Sequence, residues 1–86
     1  MDMSGLSDKA VAVFAFAAYH QLESGQPVTK VIREDGKGHK ADVEGVAELE
    51  GLKLAETTGN DIVFTESGLS VLAKAVDGLR SAGSVG

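Results

Sequence analysis

Between Leu52 and Leu69 the apolar period changes from two residues to three or four, and this switch constrains the fold more than any other feature of the chain. Leu52-Lys53-Leu54-Ala55-Glu56 and Ile62-Val63-Phe64-Thr65 alternate as half-buried strands do, and the turn formers Thr57-Thr58-Gly59-Asn60-Asp61 lie between them. Two alternating runs around Gly-Asn predict a β-hairpin over about 52–65 with its turn near Gly59-Asn60. Thr65 then offers an N-cap to a helix whose apolar stripe is Leu69, Leu72, Ala73, Val76 and Leu79, with Ser70, Lys74, Asp77 and Gly78 on the wet side. A hairpin leading directly into an amphipathic helix requires an α+β fold, mostly helical here because the remaining segments carry helical periods.

Ser7 is the natural N-cap of the first helix, with Asp8 placed favourably in its first turn. That helix should run to about Glu23 and stop at Ser24-Gly25, ahead of Pro27. Val11, Phe14, Ala18 and Leu22 form one apolar stripe. Val13, Phe16 and His20 form another, with Phe16 about 200° from Phe14 at about 100° per residue. Thr29 is read as the cap of a short second helix bearing Val31 and Ile32, and the polar, glycine-punctuated segment 34–40 as a loop. A third helix over about 41–50 would turn Val43, Val46, Ala47 and Leu49 inward and Ala41, Glu44, Gly45 and Glu48 outward, with Gly51 ending it. At 86 residues the chain has room for one domain. Its expected limits are 7–80, with a flexible N-terminus over 1–6 and a flexible tail over 81–86.

Composition excludes several classes of function. There is no cysteine, so neither a disulfide framework nor a thiolate metal site is available, and two histidines are too few for a metal cluster. Neither His20 nor His39 has a serine–acid arrangement or metal-ligand spacing around it, which argues against an enzyme and implies no cofactor or metal. The longest apolar run, Ala10–Tyr19, is half of the roughly 20 residues a membrane span needs. It also lacks the basic lead and cleavage site of a secretory signal. These features predict a cytoplasmic protein without a membrane partner.

The order helix, short helix, loop, helix, hairpin, helix resembles the winged helix-turn-helix superfamily of transcription regulators. The residues that carry the resemblance are Val46-Ala47-Glu48-Leu49-Glu50-Gly51-Leu52-Lys53-Leu54-Ala55-Glu56 followed by Ile62-Val63-Phe64-Thr65-Glu66-Ser67-Gly68-Leu69. They are similar to the third helix, hairpin wing and Thr-Glu-x-Gly-Leu helix opening of MarR- and PadR-type regulators. The element Leu49-Glu50-Gly51-Leu52 is shorter than the Leu-Glu-x-x-Gly-Leu-like run of that family. The resemblance spans roughly residues 7–80 and implies a winged helix-turn-helix fold. It also implies DNA binding, with the helix over 41–50 entering the major groove and the hairpin acting as a wing.

Charge complicates that implication. The net charge is −5, yet Thr29–Lys40 holds Lys30, Arg33, Lys37 and Lys40 against Glu34 and Asp35, while the rest of the chain carries four basic and eleven acidic residues. Lys30, Arg33, Lys37, His39 and Lys40 are therefore the candidate contacts to double-stranded DNA phosphates, the bland alternative being a solvated polar loop. The helix over 41–50 has four acidic residues and no basic one, which sets it against the phosphate line of a duplex. The two stripes of helix 1 exceed what so small a domain can cover, so Val13, Phe16 and His20 are the candidate homodimer interface; the alternative places Phe16 beneath the hairpin. Two functions follow. The first is a small DNA-associated transcriptional regulator, and the second a winged-helix module that binds a protein partner without DNA.

Overall fold

The computed structural model describes residues 5–34, 36–38 and 40–84, with side chains through residue 82. Residues 1–4, Asp35, His39 and residues 85–86 lie outside the described residues. Helix α1 spans Asp8–Ser24, capped by Ser7, whose hydroxyl accepts the Ala10 amide, and closed by Gly25 in the left-handed region. Strand β1 is Lys30–Ile32, α2 is Val43–Gly51, β2 is Ala55–Thr58, β3 is Asp61–Phe64 and α3 is Glu66–Ser84. The three strands form one antiparallel sheet in the order β1-β3-β2.

The turn and second strand of the hairpin stand where the alternation placed them, but the first strand begins at Ala55 and runs to Thr58, not over Leu52–Glu56. Ala55 pairs with Phe64 and Thr58 with Asp61, so the turn tightens to Gly59 and Asn60 and the strands take in more of the polar segment than its composition suggested. Thr65 caps α3: its hydroxyl donates to the Lys53 carbonyl at 2.7 Å and accepts the Gly68 amide at 3.1 Å. The α3 helix extends through Ser84, which corrects the expectation of a flexible tail beginning at Ser81.

The short second helix is absent from the described residues, which contain three helices rather than four. Its segment is strand β1, with Val31 opposite Ile62 and the Thr29 carbonyl accepting the Phe64 amide. Three or four residues cannot recover the cost of nucleating a helix. β-branched Val31 and Ile32 gain instead from lying beside β3. Among the described residues the second helix of a helix-turn-helix is thus missing, while the small α+β fold with its three-stranded antiparallel sheet remains compatible with a winged-helix-like topology.

Phe14 stacks on Phe64, ring centroids 5.3 Å apart, at the centre of a core completed by Leu49, Leu54, Ile62, Val71, Leu72 and Val76. Leu52, which opens the alternating run, is exposed, as is Leu79 at the end of the α3 stripe. Two close approaches fix the layers. A Cβ at Gly45 would lie 2.6 Å from the Lys9 carbonyl oxygen, and one at Gly68 would overlap the Leu54 carbonyl oxygen. Gly45 is thus buried against α1, and Ala41 is buried ahead of α2, so the outward face predicted for this helix is corrected. Val43, predicted to point inward, is 72% exposed.

Gly51 is the last residue of α2, as expected, but the left-handed exit from the helix falls two residues later. The Leu54 amide donates to the Leu49 carbonyl and the Lys53 amide to the Glu50 carbonyl, a Schellman arrangement with Lys53 at φ 60°. The left-handed conformation costs a side-chain-bearing residue roughly 1–2 kcal/mol. Lys53→Gly should therefore raise stability by up to about 1 kcal/mol, whereas Gly68→Ala should lower it by about 1–3 kcal/mol or more through overpacking. Urea denaturation of the two variants beside the parent checks both signs.

Candidate functional site

The acidic face of α2 is built into the protein. Asp42 caps the helix, its carboxylate accepting the amides of Glu44 and Gly45 at 2.9 and 3.2 Å. Glu44 takes the Lys9 ammonium at 2.7 Å, and Asp42 lies 3.9 Å from the same group. Glu48 reaches the start of α1, where one oxygen accepts the Ser7 amide at 2.9 Å and the other the Ser7 hydroxyl at 2.6 Å. Glu50 accepts the Thr57 hydroxyl at 3.0 Å. Four acidic residues that looked like obstacles to a groove-reading helix are thus ligands of α1, of β2 and of the helix's own N-terminus. The outer surface of α2 is left to Val43 and Ala47, neither of which can hydrogen-bond a base edge through its side chain.

These contacts shift the titration of the groups involved. The hydrogen bond that Lys9 donates to Glu44, reinforced by the charges of Asp42 and Glu44, raises the Lys9 ammonium above its ordinary 10.5. Hydrogen bonds from the Ser7 hydroxyl and then its amide lower the Glu48 carboxyl below its ordinary 4.5. On the outer side of α1, the hydrogen bond that the Tyr19 hydroxyl donates to Glu23, together with the charge of Glu23, raises the phenol above its ordinary 10.0.

Of the predicted phosphate-binding residues, Lys30, Arg33, Lys37 and Lys40 are described, on strand β1 and the loop after it. Lys30 is paired with Asp61 at 3.5 Å. The Arg33 amide donates to the Asn60 carbonyl at 2.7 Å, and the Asn60 side-chain amide donates to the Glu34 carbonyl. This ties the loop after β1 to the tip of the β2–β3 hairpin. Glu34 and Lys40 then close the loop as an isolated antiparallel bridge, with the Ala41 amide donating to the Arg33 carbonyl at 2.7 Å. Arg33, Lys37 and Lys40 are exposed, and His39 lies outside the described residues. Glu34 and Asp61 stand among them, so the positive excess there is small.

The predicted dimer residues separate. Val13 is 5% exposed and belongs to the chain's own core. Phe16 is half-buried against that core, and His20 is exposed, its ring edge-on to Phe16 at 4.4 Å and to Tyr19 at 5.5 Å. Val13 belongs to one buried cluster with Val31 and Ile62, strand β1 standing where the short second helix was expected.

A different apolar surface emerges between α1 and α3. Val11, Ala15 and Ala18 face Val71, Ala75, Gly78 and Leu79 across an open groove of about 390 Å3, with Lys74 also lining it. Leu79 is 52% exposed beside the groove, and Tyr19, at 60%, and Leu22 are exposed further along α1. The sequence carried part of this signal, since Val11 and Leu22 share a stripe and Leu79 ends one. Both stripes read as core because nothing local showed that α1 and α3 leave a groove between them.

No helix among the described residues is long and apolar enough to cross a membrane. No family model matches the chain, and no characterised protein or solved structure matches it.

The depressed Glu48 carboxyl stabilises the fold above its unfolded pKa, and that contribution is lost as pH falls through the lower folded value. Thermal melts of the parent and Glu48→Gln should differ most near neutral pH, with the parent more stable, and converge below about pH 4. A difference independent of pH would mean that the carboxylate charge is not what Ser7 recognises.

Proposed function

We propose that this chain is a small, non-enzymatic, winged-helix-like module that binds protein through the groove between α1 and α3. The observation that carries the reading is the groove itself, an almost wholly apolar concavity with Leu79 half-exposed at its margin. Contiguous exposed apolar surface on a small domain marks an association site. A pocket of this size with small side chains on its floor suits a bulky aliphatic or aromatic anchor from another polypeptide. The commitment of Asp42, Glu44, Glu48 and Glu50 to internal contacts argues in the same direction, because it leaves α2 with no side chain suited to reading bases.

One observation favours a second reading, a DNA-associated transcriptional regulator. The Arg33–Asn60 and Asn60–Glu34 hydrogen bonds bring the basic loop and the hairpin tip together, as phosphate contact by a loop and a wing would require. That edge would hold a duplex by charge alone, so its affinity would be greatest at low salt.

Titration of a fluorescent duplex at low ionic strength separates the two. The protein-binding reading expects no saturable rise in anisotropy. A saturable rise that falls steeply with added salt and is lost in Arg33→Ala with Lys40→Ala would replace it with the DNA reading.

A further inference from the structure

Strand β1 is one border of the sheet, and we propose that its open side binds an extended peptide from another protein as an added antiparallel strand. In an antiparallel ladder the main-chain groups of alternate residues face the same neighbour. The Thr29 carbonyl accepts the Phe64 amide and the Arg33 amide donates to the Asn60 carbonyl, so Thr29, Val31 and Arg33 face β3. Val28, Lys30 and Ile32 then direct their N–H and C=O groups away from the sheet. The Val28 amide already donates to Gln21 Oε1 at 3.3 Å, so a side chain of α1 stands where the carbonyl of a neighbouring strand would. Beyond Ile32, the Ala41 amide occupies the Arg33 carbonyl. Between these two, the main-chain groups of Lys30 and Ile32 have no hydrogen bond among the described residues, and both residues are exposed.

Open donors and acceptors at strand spacing specify their occupant, because what matches them is another main chain in extended form. A peptide residue opposite Lys30 and another opposite Ile32 would each exchange a pair of hydrogen bonds with β1. The residue between them lies opposite Val31, whose side chain is buried on the core side of the sheet, and its own side chain turns the same way. A groove of about 230 Å3 is ready there, lined by Phe16, His20, Val28, Lys30, Val31 and Ile32. Val31 lies on one face of β1 and Lys30 and Ile32 on the other, so a groove touching all three runs along the border of the strand. It shares no lining residue with the α1–α3 groove. The segment that fits is β-branched beside Ile32, apolar beside Phe16, and acidic beside Lys30, whose ammonium is exposed 3.5 Å from Asp61.

NMR titration of the isotope-labelled full chain with a Thr-Val-Leu-Glu-Thr peptide, blocked at both ends, tests the proposal. Amide exchange of Lys30 and Ile32 is expected to slow at least tenfold at saturation, while that of Val31, already bonded to β3, changes far less. N-methylation of the peptide's valine, whose N–H faces β1 in this register, should abolish binding. N-methylation of its leucine, whose N–H faces away, should leave binding intact. Ile32→Pro removes an outward donor without touching the ladder, so it should weaken binding at least tenfold with an unchanged far-UV spectrum. The two methylated peptides decide the matter whether or not that variant folds. No change at Lys30 and Ile32 with millimolar peptide overturns the proposal, as does equal loss of binding on methylating either residue. Shifts confined to Val11, Ala75 and Leu79 also overturn it, and place the peptide in the α1–α3 groove instead. Protection of Lys30 and Ile32 that grows with protein concentration, without peptide, assigns the border to a second copy and overturns it too.

Discussion

The close contact between the start of α1 and the first turns of α2 determines how the rest of the molecule is arranged. Gly45 admits the backbone of Lys9 where no side chain would fit, and the helices meet there almost main chain to main chain. At that distance Glu48 spans the two Ser7 donors and Glu44 reaches Lys9. These polar links are exposed, so each alone adds little. Together they fix the angle at which α2 leaves α1, and that angle sets where Leu49 enters the core and where the chain turns at Lys53 into the hairpin. The hairpin then receives α3 through the Thr65 cap and the close approach of Gly68 to Leu54.

This arrangement explains why an acidic helix occupies the place that the resemblance gives to a DNA-reading one. A carboxylate at the N-terminus of a neighbouring helix satisfies amides that have no partner within the helix and lies favourably in its dipole. Glu48 does this for α1, and Asp42 does it for α2. The negative charge of this region is therefore part of the joint between two helices. Strand β1 and the loop after it carry the basic side chains, and Glu34 and Asp61 stand among them.

Much of the fold could be read in the sequence where local chemistry decides the outcome. Ser7, Gly25 and Thr65 act at their element ends for reasons contained in their own side chains or backbones. The Gly59-Asn60 turn follows from the alternation on either side of it. The failures share a cause. Val31 and Ile32 became a strand because β3 offered them partners about thirty residues away, and no local period reveals that. Gly45 and Ala41 are buried because α1 lies close over them, so the helical phase that put them outward was misleading. Lys53 adopts a conformation that sequence reasoning reserves for glycine, and the terminator was accordingly placed two residues early. Of the site, the basic loop and the excess apolar surface of α1 were legible, but which face of α1 stays open depended on how α3 packs against it.

The account's central claim is that the carboxylates of α2 hold α1 in place and so belong to the fold. Native-state amide hydrogen exchange tests this most directly, because the ends of an untethered helix open locally with little free energy. The claim requires the Ser7, Ala10 and Val11 amides to be protected to the same degree as those of Val46 and Leu49, and to lose protection together with them as denaturant is added. Exchange of the first turn of α1 that is orders of magnitude faster than exchange in α2, with no dependence on the opening of α2, would contradict it.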